Sequence, residues 1–237
     1  MPRDDRDLAI RVDAGLAVLP WAEPRVRRQG GLGRRLARAV KFSWEYAAAA
    51  VGLVVSAPLF VVCFFLIRRD GGPVLYAHER IGRGGRRFRC LKFRTMVPDA
   101  DRRLEEHLAR DPAAAAEWAA YQKLKNDPRV TPIGRFLRRT HLDEIPQLIN
   151  VLKGEMALIG PRPVTAEELG RYGRFGRLLK AVRPGITGLW QVSKGHEVDY
   201  GERVAIDVHY IRNWSLLLDA VIVCKTISKI LVHRNGV

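Results

Sequence analysis

Two adjacent carboxylates, Asp143 and Glu144, carry the clearest chemistry in the sequence. A carboxylate serves some enzymes as a covalent nucleophile, and a second one beside it suits Mg²⁺, which takes oxygen ligands and substrate phosphates. Arg138 lies five residues upstream and has the charge to neutralise a phosphoryl group in transfer. This grouping predicts a site for phosphoryl transfer.

The same segment also fits a purely structural interpretation. Thr140 and Asp143 have the spacing of a capping box, in which Asp143 reaches back to the cap residue. Acidic side chains in a first turn match the helix dipole, and Pro146 suits such a turn. The residue types alone leave both interpretations open.

Two further groups of cations suit a phosphate. On a β-strand, Lys92 and Arg94 share one face and would suit a diphosphate, although an ordinary solvated strand face explains them equally well. Arg162 lies between Pro161 and Pro163, which stiffen the backbone and would hold the guanidinium for bidentate phosphate binding. The alternative for Arg162 is a rigid loop with an exposed charge.

The segment from Arg183 to Val192 is a constrained loop in which Arg183 and Gln191 are candidates for nucleotide contacts. It is not a P-loop, because the spacing of glycine and lysine is absent. The histidines are scattered without zinc spacing, and the three cysteines share neither metal nor redox spacing.

An uncharged stretch of 21 residues, Ala47 to Ile67, is the element that would hold these residues at a membrane surface. It is long enough to cross a bilayer, but Pro58 bends a helix at its middle, and Ser56 can supply a hydroxyl to the freed backbone. Lys and Arg at both ends mark the cytoplasmic side, which favours a helix that enters, bends at Pro58 and returns. A kinked single span and a buried core helix are the alternatives. The basic residues before the stretch are Arg34, Arg35, Arg38 and Lys41, and those after it are Arg68 and Arg69.

The rest of the chain predicts a β-hairpin followed mostly by helices. Strands over Val74–Ile81 and Arg86–Thr95 flank a glycine-rich turn, and the last helix has a broad apolar face with basic edges, typical of an interface helix or of a core helix. The predicted helices are Asp99–Arg110, Ala113–Leu124, Ile133–Arg139, Leu142–Leu152, Thr165–Val182, Tyr200–Trp214 and Leu216–Val232, with a short strand at Ala157–Ile159.

The net charge of +16 points to a polyanionic partner: nucleic acid, an anionic leaflet or phosphate-bearing substrates. The apolar stretch favours the leaflet. A membrane-tethered nucleic-acid-binding protein should show aromatic interleaving on a sheet or a recognition helix, so we expect no nucleic acid. A non-catalytic membrane scaffold is the other alternative, and it would tolerate the loss of Asp143.

Together these segments resemble the bacterial sugar transferase family, the monotopic phosphoglycosyl transferases that act on polyprenyl phosphate. The resemblance covers about residues 40 to 230, with its motifs in the order of the family. Its segments are Gly72–Gly82, Lys92–Met96, Asn126–Thr131, Leu142–Gly154, Gly160–Pro163, Arg183–Val192 and Tyr210–Asp219. His141 departs from the family pattern, which usually has a small or polar residue at this position.

The resemblance implies the fold and its place. The fold would be α+β, a mostly helical monotopic membrane protein with a re-entrant membrane helix, a small β-hairpin and amphipathic interface helices. The composition of residues 1–32, which is rich in Arg, Gly and Pro, predicts a flexible arm. By the resemblance, residues 33–69 would form the re-entrant helix and residues 70–237 a catalytic domain on the cytoplasmic face of the bacterial inner membrane. An anionic inner-leaflet lipid would be a partner, and homo-oligomerisation stays open.

The resemblance also implies a reaction. Asp143 would attack the β-phosphate of a UDP-sugar, with glucose or galactose as the sugar, and UMP would leave. Polyprenyl (undecaprenyl) phosphate would then take the sugar phosphate in the first membrane step of exopolysaccharide synthesis. Glu144 would coordinate Mg²⁺, and Ser56 and Pro58 would form the membrane bend. The phosphate-binding candidates are Arg138, Arg162, Lys92 and Arg94.

Overall fold

The computed structural model describes residues 31–121, 124–193 and 200–232. The predicted arm, residues 1–32, lies outside this part of the chain except for its last two residues. The helices are α1 (Leu32–Arg68), α2 (Ala100–Arg110), α3 (Pro112–Tyr121), α4 (Pro132–Thr140), α5 (Gln147–Leu152), α6 (Ala166–Gly170), α7 (Gly176–Lys180), α8 (Leu189–Ser193), α9 (Tyr200–Asn213) and α10 (Leu216–Val232). The strands are β1 (Leu75–Ile81), β2 (Arg87–Phe93), β3 (Ala157–Ile159) and β4 (Gly185–Thr187), and short 3₁₀ turns lie at Arg83–Gly85, Leu142–Glu144 and Gly173–Phe175.

The chain forms two compact units. Among the described residues, unit I contains residues 31–52, His78–Cys90 and those from Gln147 to Val232; unit II contains Leu53–Ala77 and those from Leu91 to Pro146. Helix α1 and the β-hairpin each contribute residues to both units. The fold class predicted from the sequence is confirmed: the protein is mostly helical, with a small hairpin of β1 and β2.

Helix α1 is one continuous helix of 37 residues with Pro58 inside it. At a rise of 1.5 Å per residue its length is about 55 Å, more than a hydrocarbon core of about 30 Å requires. It is the one helix among the described residues that is long and apolar enough to cross a membrane, and only 11% of its most apolar window is buried. The alternative of a buried core helix is therefore excluded, while re-entry at Pro58 stays a prediction.

The hydroxyl of Ser56 bonds a different carbonyl from the one that Pro58 frees. Proline has no N–H to donate to the carbonyl of Val54, four residues earlier. The hydroxyl of Ser56 donates to the carbonyl of Leu53 at 3.3 Å, so it bonds one residue before the carbonyl that Pro58 frees.

The core of unit I is built on a parallel pair of short strands, β3 and β4. Ala157 pairs with Gly185 and Ile159 with Thr187. A Cβ at position 185 would lie 2.1 Å from the backbone nitrogen of Gly160, so only glycine permits this approach. Helix α9 has nine buried residues, and among them Val204, Ala205 and Ile206 share one apolar core with Ile159 of β3. Strand β4 was not predicted, because a three-residue strand in a glycine-rich segment has no periodicity to recognise.

A buried ionic network ties helix α1 to β3 in unit I. The ammonium of Lys41 lies 2.7 Å from the carboxylate of Asp219 and 2.8 Å from that of Glu45, and all three side chains are at most 7% exposed. Lys41 also donates to the carbonyl of Ile159, whose N–H donates to Glu45. The hydroxyl of Tyr210 donates to Asp219 at 2.8 Å. The network therefore supplies hydrogen-bond partners to Ile159, at the end of a strand that pairs only with β4 among the residues that the structure describes.

The core of unit II is an apolar cluster around Phe93 and Leu137. Both are almost fully buried, together with Cys63 and Ile67 from the C-terminal part of helix α1. Leu142 and Ile145, which flank the two carboxylates, pack against this cluster. The position of the carboxylate turn thus depends on the same apolar contacts that fold the unit.

Removal of the ammonium from the buried network should destabilise the protein. We expect Lys41→Met to lower the free energy of unfolding by about 3–5 kcal/mol, because two buried carboxylates lose their counter-charge. The matched control is Arg87→Met in the exposed pair of Arg87 and Glu79, which should cost less than about 1 kcal/mol. Denaturant unfolding in detergent micelles measures both, and equal losses would contradict the assigned role of Lys41.

Candidate active site

Helix α4 begins with a close approach to Thr95, two residues after the end of strand β2. Thr131 caps the helix, since its hydroxyl accepts the N–H of Gly134 at 2.9 Å. A Cβ at position 134 would lie 2.0 Å from the carbonyl oxygen of Thr95, so glycine is required for this contact. The approach places Arg138, one turn later, beside the same residue: its Nε donates to the hydroxyl of Thr95 at 2.8 Å.

Helix α4 ends in a left-handed residue that turns the chain into the carboxylates. His141 has φ of 57° and is the one described residue other than glycine with a positive φ. This conformation costs an L-residue roughly 1–2 kcal/mol. The turn leads directly into the 3₁₀ segment Leu142–Glu144. The sequence did not reveal a role for His141. In the structure, His141 ends helix α4.

The capping-box interpretation of this segment is wrong. The hydroxyl of Thr140 donates backward to the carbonyls of Phe136 and Leu137, inside helix α4. The 3₁₀ segment follows His141 and has no side-chain cap. Only the capping part of the structural alternative is therefore excluded, since Asp143 and Glu144 do lie in the first turn of the 3₁₀ segment.

The two carboxylates share one ammonium group. The Nζ of Lys92 lies 2.6 Å from Oε1 of Glu144 and 3.7 Å from Oδ2 of Asp143. Asp143 is buried, with 8% of its surface exposed, whereas the side chain of Glu144 is 31% exposed. Burial raises the pKa of Asp143; the charge of Lys92 acts against this shift, and the charge of Glu144 adds to it. The two acids therefore occupy different environments, as different roles would require.

Arg138 adds a second cation to the surroundings of Asp143. Burial lowers the pKa of its guanidinium, while the charges of Asp127 and Asp143 act to raise it. Asp127 is held in turn by a two-pronged ion pair with Arg129, at 2.7 and 2.8 Å. Sequence reasoning placed Asp127 and Arg129 only in a loop and a family motif, and it missed Thr95 as a partner of Arg138.

Arg94 has a different position from Lys92, although both were predicted to face a phosphate. All five N–H groups of its guanidinium are used: two bind the carboxylate of Asp70 and three bind backbone carbonyls, which belong to Ile67, Pro73 and Met96. The side chain is only 7% exposed. We therefore interpret Arg94 as a structural residue that binds the end of helix α1, and its N–H groups are not free to bind a phosphate.

The remaining predicted site residues belong to unit I. Arg162 lies over the ring of Trp190 at 5.7 Å. Arg183 lies over Phe42 at 4.4 Å and donates to the hydroxyl of Tyr46. Gln191 donates to the carbonyl of Ile186 at 2.9 Å. Their roles toward a nucleotide or phosphate stay predictions.

The side chains that surround Arg162 include a buried acid. Asp207 accepts a hydrogen bond from the hydroxyl of Tyr172 at 2.7 Å. Burial raises the pKa of Asp207 to about 7, and the charges of Arg203 and Arg162 act in the opposite direction. Arg203 lies over the same ring as Arg162, that of Trp190, at 4.9 Å. Sequence reasoning had no signal for this group, because its members are separated along the chain.

The donor set suits Mg²⁺ only in partnership with a substrate. In the described part of the chain, no group of three or more His, Cys, Asp or Glu side chains could hold a metal ion. Asp143 and Glu144 supply two carboxylates, and Mg²⁺ is commonly bound by one or two carboxylates together with substrate phosphates and water. The residues present therefore fit a magnesium ion that arrives with a phosphorylated substrate.

The sequence profile of the family described as bacterial sugar transferase matches residues 36–233. The chain belongs to this family. It is 46% identical over 211 residues to the undecaprenyl-phosphate galactose phosphotransferase of Salmonella typhimurium, covering 89% of this chain and 44% of that protein. It is also 46% identical to the exopolysaccharide production protein ExoY of Rhizobium meliloti, covering 96% of this chain and 98% of the relative.

A third relative, the undecaprenyl-phosphate glucose phosphotransferase of Komagataeibacter xylinus, is 39% identical over 212 residues, which are 83% of this chain and 36% of the relative. The chain thus spans less than half the length of the two phosphotransferases, but nearly the full length of the ExoY protein. The family resemblance inferred from the sequence is confirmed.

The left-handed conformation of His141 can be tested by stability. We expect His141→Gly to be more stable than His141→Ala by about 1 kcal/mol, because glycine adopts a positive φ without a steric penalty. At His107, inside helix α2, the order should reverse, since glycine in a helix costs about 0.5–1 kcal/mol relative to alanine. Unfolding of the four variants in detergent decides the point; alanine equal to glycine at position 141 would contradict the geometry.

Proposed function

We propose that this protein transfers a sugar 1-phosphate from a UDP-sugar to polyprenyl phosphate, with Asp143 as the covalent nucleophile. The observation that carries the proposal is the environment of Asp143: a buried carboxylate with Lys92 and Arg138 as neighbouring cations. Family membership and the names of the relatives, which act on undecaprenyl phosphate or in exopolysaccharide production, support the same reaction.

In the first half of the reaction, an oxygen of Asp143 attacks the β-phosphorus of the donor. The new bond joins this oxygen to phosphorus, and the bond from the β-phosphorus to the bridging oxygen breaks, so UMP leaves with that oxygen. Asp143 then carries the sugar phosphate as an acyl phosphate. Lys92 and Arg138 are placed to balance charge on the transferred group.

In the second half, a phosphate oxygen of the polyprenyl acceptor attacks the same phosphorus. The bond to Asp143 breaks and the free carboxylate returns. Because one carboxylate acts in both halves, the two anionic substrates occupy the site in turn. Their negative charges therefore do not repel each other within the site. The relatives named for galactose and for glucose make these two sugars the first donors to test.

We also propose that Glu144 takes part in binding Mg²⁺ that enters with the donor. When bound, the ion supplies charge neutralisation to the diphosphate. Glu144 suits this role better than Asp143, because it is the more exposed of the two acids. Lys92, only 2.6 Å from Glu144, would share that carboxylate with the ion.

The proposed location is the cytoplasmic face of the bacterial inner membrane. Helix α1 supplies the membrane attachment, with re-entry at Ser56 and Pro58, and the net charge of +16 favours an anionic leaflet, where each nearby Lys or Arg contributes about 1 kcal/mol. A non-catalytic scaffold is the alternative, and the removal of one carboxylate distinguishes the two.

Asp143→Asn should abolish transfer from UDP-galactose and UDP-glucose to undecaprenyl phosphate, with a loss of at least about 10³-fold, because the amide is a poor nucleophile. Radiolabelled donor alone should label the wild-type protein and leave this variant unlabelled. The matched control is Asp101→Asn, an exposed acid in helix α2. Full transfer by the Asp143 variant would contradict the proposal and favour the non-catalytic scaffold.

The electrostatics predict a shift in the pH profile. The charge of Lys92 lowers the pKa of Asp143, and the carboxylate must be ionised to attack. The acid limb of the pH profile of kcat/KM should therefore move to higher pH in Lys92→Gln, because Asp143 stays protonated up to a higher pH. Lys125→Gln, an exposed lysine of the same unit, should leave the limb in place. A shift to lower pH would contradict the assignment.

A further inference from the structure

The guanidinium of Arg138 is bound to the protein at one side only. Its Nε donates to the hydroxyl of Thr95 at 2.8 Å, while its two Nη groups donate no hydrogen bond to any residue that the structure describes. Arg94, in contrast, uses all of its N–H groups on protein acceptors. Arg138 is an exposed residue, so a ligand can reach it. The two Nη groups therefore form a fork that suits two oxygens of a phosphate.

The backbone of the segment around Thr95 holds the start of helix α4 without help from the Thr95 side chain. The carbonyl of Thr95 accepts the N–H of Thr131 at 3.1 Å, and the N–H of Val97 donates to the carbonyl of Arg129 at 2.9 Å. An antiparallel bridge lies between these two contacts. The hydroxyl of Thr95 is therefore not needed to dock the helix.

The hydroxyl of Thr95 acts further along the helix, on the side chain of Arg138. Arg138 follows Thr131 by seven residues, which is about two helical turns. An arginine side chain has many rotamers, and a hydrogen bond at Nε restricts the plane of its guanidinium. Thr95 is buried, with 8% of its surface exposed, so water competes little for this bond. Thr95 thus fixes the direction of the Nη fork and leaves its donors unused.

The fork belongs to the surroundings of the proposed nucleophile. The charge of Arg138 acts to lower the pKa of Asp143, and the charge of Asp143 acts to raise the pKa of Arg138. Asp127 is the other acid that acts on Arg138, but its carboxylate is already bound to Arg129 at 2.7 and 2.8 Å. A phosphate held by the fork would therefore lie near Asp143, without competition from Asp127.

We propose that Thr95 is a positioning residue, whose hydroxyl orients Arg138 so that the two Nη groups bind the phosphoryl group in transfer. The proposal rests on the proposed function and extends it, because it names the residue that sets the geometry of one cation in the site. Thr95 acts through Arg138 and does not itself contact the substrate. Its effect on the reaction should therefore depend on the guanidinium.

The test removes the hydroxyl and measures how fast radiolabelled UDP-galactose or UDP-glucose, supplied alone and at saturation, labels the protein. Thr95→Val should label at least about tenfold more slowly than wild type, the effect of losing one hydrogen bond to a charged group. Thr95→Ser keeps the hydroxyl and should stay within about twofold of wild type. The matched control is Thr140→Val, whose lost hydroxyl bonds carbonyls inside helix α4; it should label at the wild-type rate.

A double-mutant cycle distinguishes positioning from direct contact with the substrate. In an Arg138→Met background, followed over longer times, Thr95→Val should change the labelling rate by less than about twofold, because the guanidinium through which the hydroxyl acts is absent. A further loss of about tenfold in that background would contradict the positioning role.

A second variant and a stability measurement guard against loss of the fold. Thr95→Ala removes the hydroxyl with a smaller side chain and should label as slowly as Thr95→Val. Denaturant unfolding in detergent micelles should show both variants folded, because the backbone contacts to helix α4 remain.

The wild-type protein separates the failure of this inference from the failure of the proposed function. No labelling of the wild type would overturn the proposed function. If the wild type is labelled, three results would overturn the role of Thr95 alone: wild-type rates in Thr95→Val or Thr95→Ala, a slow Thr95→Ser, or loss of the fold in both variants that lack the hydroxyl.

Discussion

A buried carboxylate needs nearby positive charge to stay ionised. This requirement organises unit II around Asp143. Burial raises its pKa and Lys92 opposes that shift. Lys92 reaches it from strand β2, and Arg138 approaches from helix α4, which can come close enough only because Gly134 has no Cβ. The cations thus form part of the folded framework before a substrate is present.

The unusual backbone of His141 follows from the same requirement. Helix α4 brings Arg138 into place and then ends abruptly, and in the short turn that follows Asp143 is buried while Glu144 stays partly exposed. A residue with positive φ achieves this within one position. A local conformational cost of about 1–2 kcal/mol is thus offset by the packing of Leu142 and Ile145 in the unit II core.

Helix α1 is bound to the rest of the protein by ionic contacts in each unit: a buried network in unit I and one partly buried ion pair in unit II. In unit I, Lys41 and Glu45 supply partners to strand β3. In unit II, Arg94 binds the end of the helix through the carbonyl of Ile67 and the carboxylate of Asp70. Charges inside the protein hold a helix whose outer surface is largely apolar. This arrangement suits an enzyme whose proposed acceptor carries its phosphate on a hydrocarbon chain.

The sequence by itself determined the elements with strong local signals. The apolar stretch predicted helix α1, the glycine turn predicted the hairpin of β1 and β2, and the adjacent acids with the ordered motifs predicted the family. Such features depend on residues close together in the chain, so periodicity and turn chemistry suffice to find them.

Only the tertiary structure decided which cation serves the carboxylates. Lys92 and Arg94 look equivalent on a strand, yet Lys92 meets Glu144, 52 positions later, while Arg94 meets Asp70, 24 positions earlier. It also decided that Thr140 bonds backward and that β4 pairs with β3. These outcomes depend on partners distant in sequence, and a hydrogen-bonding group has no local pattern that reveals which distant partner burial will bring to it.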